Sequence, residues 1–225
     1  PHTLPHIPLA ASQEFKGSSL GGFYGDTIEE IDWSVGEILS TLKRLKLDNN
    51  TLVIFTTDNG PWNLKNGHGG SALPLRGYKF QTYEGGMRVP CIMRWPGKIP
   101  AGSECHEIAS TIDLLPTFAR ITGATVPSER VIDGMDIFPL MLGRADARSP
   151  HQSFYYYRGR KLEAMRQGSW KIRFNKEIEL YHLGRDLSET KNLAAKHPQR
   201  VKSMLREMKV FDESLRANSR PEGRL

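Results

Sequence analysis

The chain has 225 residues, of which 38% are hydrophobic and 25% charged, a composition typical of a globular protein and not of a disordered one. No apolar run approaches the roughly 20 residues that a membrane-spanning helix needs. The net charge of +6 is uneven, because residues 1–150 carry 14 basic and 16 acidic side chains and residues 151–225 carry 17 and 9, or nets of −2 and +8. The basic C-terminal part is compatible with a polyanionic partner, although a solvated basic face is the simpler interpretation and no nucleic-acid-binding motif accompanies it.

The first twelve residues, PHTLPHIPLAAS, are punctuated by proline and predict an extended segment that leaves a strand. His2 and His6 bracket this segment, and taken alone each is most simply a histidine packed in a loop. Residues 13–24 are polar and rich in glycine, which predicts a surface connection of the kind that borders functional sites.

A long amphipathic helix is predicted from Tyr24 to Leu47. Its apolar residues step by three and four positions and form one stripe, consisting of Ile28, Ile31, Val35, Ile38, Leu42 and Leu45. We expect Asp26 or Thr27 to cap its start, and we expect the stripe to pack on a sheet before the next strand.

The next strand and the loop after it contain the first candidate site. The apolar run from Leu52 to Phe55 predicts a buried strand of a mostly parallel sheet. Asp58 and Asn59 follow it, where ligands bind in open α/β sheets, and both carry the hard oxygen donors that suit Ca²⁺ or Mg²⁺. The same Asp-Asn-Gly-Pro sequence is also ordinary turn chemistry, so the motif alone does not define a metal site.

A glycine-rich loop, Gly67-His68-Gly69-Gly70, precedes Lys79, and TYEGGMRVP follows before a second strand from Cys91 to Trp95. Lys79 is a compact positive charge that suits an anionic substrate, although a single lysine in a loop is usually solvated. The two cysteines provide no disulfide framework, and we expect Cys91 to be buried and Cys105 to be exposed.

The remaining chain is predicted to continue the α/β part and then change character. A helix is predicted from Ser110 to about Gly123, with Asp113 as a helix-start or structural carboxylate. From about Ser149 four short strands are predicted to form a meander, followed by a helix over 197–217.

Together, the segments TTDNGP, HGGSALPLRGYK and TYEGGMRVP resemble the sulfatase family, specifically its arylsulfatase-like branch within the alkaline-phosphatase-like superfamily. The resemblance implies that Asp58 and Asn59 ligate a divalent cation, usually Ca²⁺ with Mg²⁺ possible. It implies that Lys79 contacts the sulfate group, and that His6, in its His-x-Pro context, donates to the sulfate or to the ester oxygen. His6 and Lys79 are therefore the candidate catalytic residues, and they and His68 are the candidate substrate-binding residues.

The resemblance also implies a fold and a domain organisation. Residues 1–148 are expected to be the C-terminal part of an α/β sulfatase catalytic domain, with a mostly parallel sheet flanked by helices. Residues 149–225 are expected to be a small subdomain of antiparallel sheet plus helix. One departure is local, because Tyr78 and Phe80 flank Lys79 where many relatives carry glycine.

Two elements of the family are missing from the 225 residues. Sulfatases use a formylglycine made within a Cys/Ser-x-Pro-x-Arg motif, and their metal site needs a pair of adjacent aspartates; neither sequence occurs here. We therefore expect the chain to be the C-terminal portion of a longer protein, with the formylglycine in the preceding part, and we expect the chain alone to be inactive.

The leading functional interpretation is hydrolysis of sulfate esters by the full-length protein, acting on a sulfated small molecule or sulfated glycan. One alternative is a phosphonate or phosphate ester hydrolase of the same superfamily, which often has histidine where this chain has Asn59. Another is a non-catalytic fragment that binds polyanions. The resemblance implies a periplasmic, secreted or lysosomal location, and it implies neither a nucleic-acid partner nor a membrane span.

Overall fold

The computed structural model describes residues 2–63 and 68–221 and divides the chain into two compact units, residues 1–101 and 102–225. The domain boundary that the sequence suggests after residue 148 is not tested by this division and stays a prediction. Within the described residues, no helix combines the length and the apolar character that crossing a bilayer requires.

Among its described residues, the first unit contains two α-helices and one pair of strands. The helices are α1 (Gly22–Arg44) and α2 (Glu84–Met87), and the strands are β1 (Val53–Thr56) and β2 (Cys91–Arg94). The strands pair antiparallel, from Val53 opposite Arg94 to Thr56 opposite Cys91, and the described residues provide no parallel neighbour for β1. The expectation that Cys91 is buried is wrong, since its side chain is exposed, as is that of Cys105. The apolar residues of a strand indicate which of its faces tends to be buried. The actual burial depends on neighbouring elements that the local pattern does not reveal.

Helix α1 confirms the predicted helix but not its predicted cap. The N-cap is Gly21, which has no side chain to bond. Asp26 instead lies buried within the helix, and its carboxylate accepts the backbone N–H groups of Gly17 at 2.8 Å and Ser19 at 2.9 Å. These two hydrogen bonds lower the pKa of Asp26 and order the loop that precedes the helix.

The apolar stripe of α1 is only partly covered within this unit. Ile38 is 53% exposed, and Ile28 and Leu45 are also exposed. The periodicity therefore predicted the helix and the direction of its apolar face, whereas the predicted packing of that face is not complete among the described residues.

The C-terminal end of α1 gives a stability prediction. Lys46 follows the helix with φ = +58°, while its N–H donates to the Lys43 carbonyl at 3.1 Å and the Leu47 N–H donates to the Leu42 carbonyl at 2.9 Å. This is the Schellman arrangement, which favours glycine at the left-handed position. We expect Lys46→Gly to raise the free energy of unfolding by about 0.5–1 kcal/mol in urea denaturation, because the relief of strain exceeds the added entropy of the unfolded chain. Lys43→Gly, inside the last turn, should lower it by about 1 kcal/mol; equal effects of the two changes would contradict this account.

The second unit begins with a 3₁₀ turn (Thr111–Asp113), followed by α3 (Leu114–Thr122) and α4 (Phe138–Met141). An antiparallel meander in the order β3-β4-β5-β6 comes next, and α5 (Pro198–Ala217) is the last helix of the described residues. The strands are β3 (Ser153–Arg158), β4 (Lys161–Gln167), β5 (Trp170–Phe174) and β6 (Ile178–His182). The predicted meander and terminal helix are thereby confirmed.

The core of this unit lies between the sheet and α5. Strand register places Met165, Ile172 and Leu180 side by side on three neighbouring strands, and Met204 and Met208 of α5 pack against them. All five side chains are buried, which supplies the apolar burial that holds a small sheet and a helix together.

Asp113 has the structural role predicted for it. Its fully buried carboxylate accepts the N–H of Ser110 at 2.8 Å and that of Met135 at 2.9 Å, and it bonds the His151 imidazole Nε2 at 2.7 Å. One carboxylate thus connects the start of α3, the 133–136 connector and the approach to β3. This connection joins residues 102–148 to the start of the meander within the second unit.

Candidate functional site

The candidate metal ligands lie immediately after β1. The Asp58 side chain is exposed and has a long contact of 3.5 Å from the Thr57 hydroxyl, and Asn59 is half-buried. The loop is then closed onto α2, since the Gly60 N–H donates to the Gly86 carbonyl at 3.1 Å. A Cβ on Gly60 would lie 1.9 Å from the Gly85 carbonyl oxygen, so only glycine permits this approach. The residues that could hold a cation are therefore presented by a loop whose backbone is fixed.

Lys79 lies on a tight turn that packs against the same short helix. The Gln81 N–H donates to the Tyr78 carbonyl at 3.0 Å, and the Lys79 N–H donates to the Pro61 carbonyl at 2.8 Å. A Cβ on Gly86 would lie 2.1 Å from the Gln81 carbonyl oxygen. The Asp-Asn-Gly-Pro loop, the lysine turn and the Glu-Gly-Gly helix are thus packed backbone against backbone, which is a physical reason for the glycines in these motifs.

Trp62 brings the two candidate catalytic residues together. The His6 ring lies 5.6 Å from the Trp62 ring, centroid to centroid, and the Lys79 Nζ lies 5.4 Å from the Trp62 ring centroid. His6 and Lys79 are far apart in the sequence, so a tertiary contact creates their neighbourhood. Sequence reasoning missed Trp62, and the available signal was an aromatic residue directly after the Asp-Asn-Gly-Pro motif.

The hydrogen bond of His6 defines how its ring can act. Its Nδ1 lies 2.7 Å from the Ile7 carbonyl oxygen. Because a carbonyl only accepts, Nδ1 carries a proton and the neutral ring has its acceptor at Nε2. An imidazolium form would add a donor at Nε2, which is the form able to protonate a leaving oxygen.

Lys79 is a half-buried cation that lies beside two aromatic rings. Its Nζ lies 5.4 Å from the centroid of the Phe80 ring, in addition to the equal distance to Trp62. Within residues 2–63 and 68–221, no carboxylate lies at ion-pair distance from the ammonium. Aromatic faces attract a cation without neutralising it, so the positive charge is retained for an anion.

The other predicted site residues are less connected. His68 is exposed, and the carbonyl of its neighbour Gly69 accepts a hydrogen bond of 3.2 Å from the Trp62 N–H. Gly67, from the same loop, lies outside the described residues, and His2 is exposed. The structure gives no contact of His68 with His6 or Lys79, so its proposed role in substrate binding stays a prediction.

The described part of the chain contains no group of three or more His, Cys, Asp or Glu side chains arranged to hold a metal ion. Asp58 and Asn59 nevertheless have the right donor chemistry for Ca²⁺ or Mg²⁺, because both provide oxygen atoms. The two residues fit a cation as part of a ligand set, and Ca²⁺ takes roughly six to eight oxygens in total.

A cavity of about 260 Å³ lies beside this site in the first unit, and its lining includes Pro61, Arg76 and Tyr78. A larger cavity of about 550 Å³ lies in the second unit at the start of α5, lined in part by Lys196 and Arg200. The larger cavity contains none of the predicted site residues. Size alone therefore does not identify the site, and side-chain chemistry favours the first unit.

Comparison with known proteins shows the family of the chain. A family model described as sulfatase matches residues 3–124, and a model described as the C-terminal part of N-sulphoglucosamine sulphohydrolase matches residues 78–215. The chain is 47% identical to rat steryl-sulfatase over 165 residues, covering 71% of this chain and 28% of the relative. It is 46% identical to dog N-acetylgalactosamine-6-sulfatase over 170 residues, covering 75% and 32%.

A solved structure extends the match to the fold. The crystal structure of PsFucS1 sulfatase from Pseudoalteromonas sp. superposes with a TM-score of 0.88 at 25% identity, covering 96% of this chain and 48% of that one. The chain thus has the α/β fold of the alkaline-phosphatase-like sulfatases together with a small antiparallel sheet. It spans about a third of the length of these curated relatives and about half of this solved structure. With family models matching more than half of its length, the chain belongs to the sulfatase family.

Proposed function

We propose that the full-length protein that carries this chain hydrolyses sulfate esters, and that the chain contributes Lys79 and His6 to the sulfate pocket. The observation that carries the proposal is the meeting of these two residues on Trp62, where Lys79 has no carboxylate partner among the described residues. Lys79 thus combines a positive charge that no described carboxylate neutralises with a nearby potential proton donor, His6. This combination is suited to binding an anionic ester.

The proposed roles of Lys79 and His6 follow from the positions at which negative charge develops during ester hydrolysis. A sulfate ester already carries one negative charge, and its leaving oxygen gains more as the S–O bond breaks. Lys79, whose backbone is fixed by the bond to Pro61, is a preorganised positive charge for the sulfate oxygens. His6 in its protonated form donates from Nε2 to the leaving oxygen, while the carbonyl of Ile7 holds the ring in place.

Asp58 and Asn59 are proposed ligands of the divalent cation, with Ca²⁺ as the first choice and Mg²⁺ as the alternative. When bound by these residues, such a cation would supply Lewis-acid polarisation of the sulfate oxygens. The family implies a metal and a formylglycine, and this chain contains no motif for making the latter. The nucleophile and the remaining metal ligands are therefore expected from another part of the full-length protein.

The substrate is proposed to be a sulfated small molecule or a sulfated glycan. Two relatives, named steryl-sulfatase and N-acetylgalactosamine-6-sulfatase, differ in the alcohol part of their substrates but share the sulfate group. The residues described above would recognise that shared group. The identity of the alcohol depends on loops that vary between relatives.

The decisive experiment compares nitrophenyl sulfate, a nitrophenyl phosphonate and nitrophenyl phosphate as substrates of the full-length protein, before and after chelation of divalent cations. We expect the sulfate ester to have the highest kcat/KM, and we expect activity to fall on chelation and to return with Ca²⁺ or Mg²⁺. A preference for the phosphonate would support the alternative hydrolase class. Absence of hydrolysis, with heparin retention that persists in Lys79→Ala, would support polyanion binding instead.

A further inference from the structure

Phe80 occupies a backbone position that disfavours it. It is the third residue of the turn closed by the 3.0 Å hydrogen bond from Gln81 N–H to the Tyr78 carbonyl, and its φ is +74°. A turn with a positive φ only at this position is of type II, which favours glycine or asparagine there. An aromatic residue in this conformation is a genuine outlier, and such strain concentrates at functional sites.

Burial does not account for the phenyl ring. Phe80 is 60% exposed, and its described ring contacts are an edge contact with Trp62, centroids 6.3 Å apart at 89°, and the Lys79 ammonium. The same contacts leave most of the ring surface open to solvent. Within the described residues this strained ring therefore adds little to folding, and its contact with the Lys79 ammonium places it beside the proposed sulfate pocket.

The position of the ring relates it to the proposed sulfate pocket. The Lys79 Nζ lies 5.4 Å from the centroids of both Phe80 and Trp62, so the charge lies beside both rings. A sulfate group bound to this ammonium is covalently joined to an alcohol that must extend away from it. Aromatic rings beside the charge offer that alcohol an apolar surface.

We infer that Phe80, together with Trp62, forms an aromatic wall that contacts the alcohol part of the sulfate ester and makes Phe80 a determinant of substrate specificity. The ligand chemistry is a ring with a weakly polar face, which an aryl group and a pyranose both possess. The inference rests on the proposed function, since it assigns the organic portion of the substrate whose sulfate meets Lys79. It also gives a reason for the strained turn at Phe80, which sulfate binding by Lys79 alone would not require.

The test uses Phe80→Gly and Phe80→Tyr in the full-length protein, with nitrophenyl sulfate, a sulfated monosaccharide and inorganic sulfate as probes. We expect Phe80→Gly to raise KM for at least one ester by about three- to tenfold, the range of one aromatic contact, with kcat nearly unchanged. Inhibition by inorganic sulfate, which has no alcohol part, should remain unchanged. Phe80→Tyr keeps the ring and should keep the wild-type KM, and the ester that responds more identifies the aryl or pyranose source.

Thermal denaturation separates a ligand role from a structural one. Because glycine suits φ = +74°, the melting temperature of Phe80→Gly should stay the same or rise, as it should for Lys46→Gly, a control that relieves a similar conformation away from the site. A marked fall in melting temperature would show that the ring packs against protein and would overturn the inference. Unchanged KM for both esters, or a parallel loss of inhibition by inorganic sulfate, would also overturn it. A wild-type protein that hydrolyses no sulfate ester would instead reveal failure of the proposed function before any variant is compared.

Discussion

Replacing Lys79 with alanine in the full-length protein is expected to lower kcat/KM for a sulfate ester by about 10²–10³, or roughly 3–4 kcal/mol, while the melting temperature hardly changes. The lost group is a half-buried ammonium that lies beside two rings, at 5.4 Å from each centroid. Its attraction for the substrate grows as negative charge develops on the departing oxygen, so it binds the transition state more strongly than the ground state.

The stability part of this prediction comes from the partners of Lys79. Its turn is held through backbone atoms, by the bond to the Pro61 carbonyl, and these bonds survive removal of the side chain. An alternative is that Lys79 tethers its loop through Glu84, but no carboxylate of the described residues lies at ion-pair distance from the ammonium. A tether would give the opposite result, with lost stability and normal activity per folded molecule.

Kinetics and melting should be measured on the same preparations, with Lys98→Ala as the charge-matched control. Lys98 is an exposed lysine in the turn after β2, and its replacement should leave both quantities unchanged. If Lys79→Ala retains activity within about threefold of wild type, far short of the loss expected for one electrostatic contact, Lys79 is not a sulfate ligand.

Local patterns predicted the secondary structure well because they depend on neighbours in the sequence. Four strands are predicted after about Ser149 and four are observed there, and the terminal helix begins within one residue of its predicted start. The cap of α1 was predicted wrongly for a physical reason. Asp26 bonds backbone groups of the preceding loop, which a helix-capping pattern does not consider.

The candidate site was predictable only in its parts. The motifs indicated Lys79 and His6 through a family resemblance, but their meeting on Trp62 is a tertiary contact without a local signal. The unusual residue Phe80 was visible in the sequence, whereas its positive φ and its exposure were not. Packing around helix α2 creates the positive φ and the exposure of Phe80. The spacing of residues within the motif does not encode that packing.

The buried ion pair of the second unit should produce the largest stability effect. The Lys171 ammonium lies 3.0 Å from a Glu189 carboxylate oxygen, and both side chains are 0% exposed. The ammonium also lies 4.6 Å from the centroid of the Tyr156 ring. Removing the cation by Lys171→Met leaves the buried Glu189 carboxylate without this ammonium, which is expected to lower the free energy of unfolding by about 3–5 kcal/mol. That loss is a large fraction of the roughly 5–15 kcal/mol that stabilises a typical domain.

Urea denaturation of the single and double variants tests the origin of this loss. Adding Glu189→Gln to Lys171→Met removes the buried negative charge of the carboxylate. The double variant should therefore be more stable than Lys171→Met alone, with a coupling of about 0.5–3 kcal/mol. Lys209→Met is the matched control, because its partner Glu213 lies 3.7 Å away on the exposed surface of α5, where an ion pair is worth about 0–1 kcal/mol. Strictly additive effects of the two buried changes would show that Lys171 acts through packing on Tyr156. Since the pair connects β5 to the loop that precedes α5, additivity would also mean that its charges do not hold that loop in place.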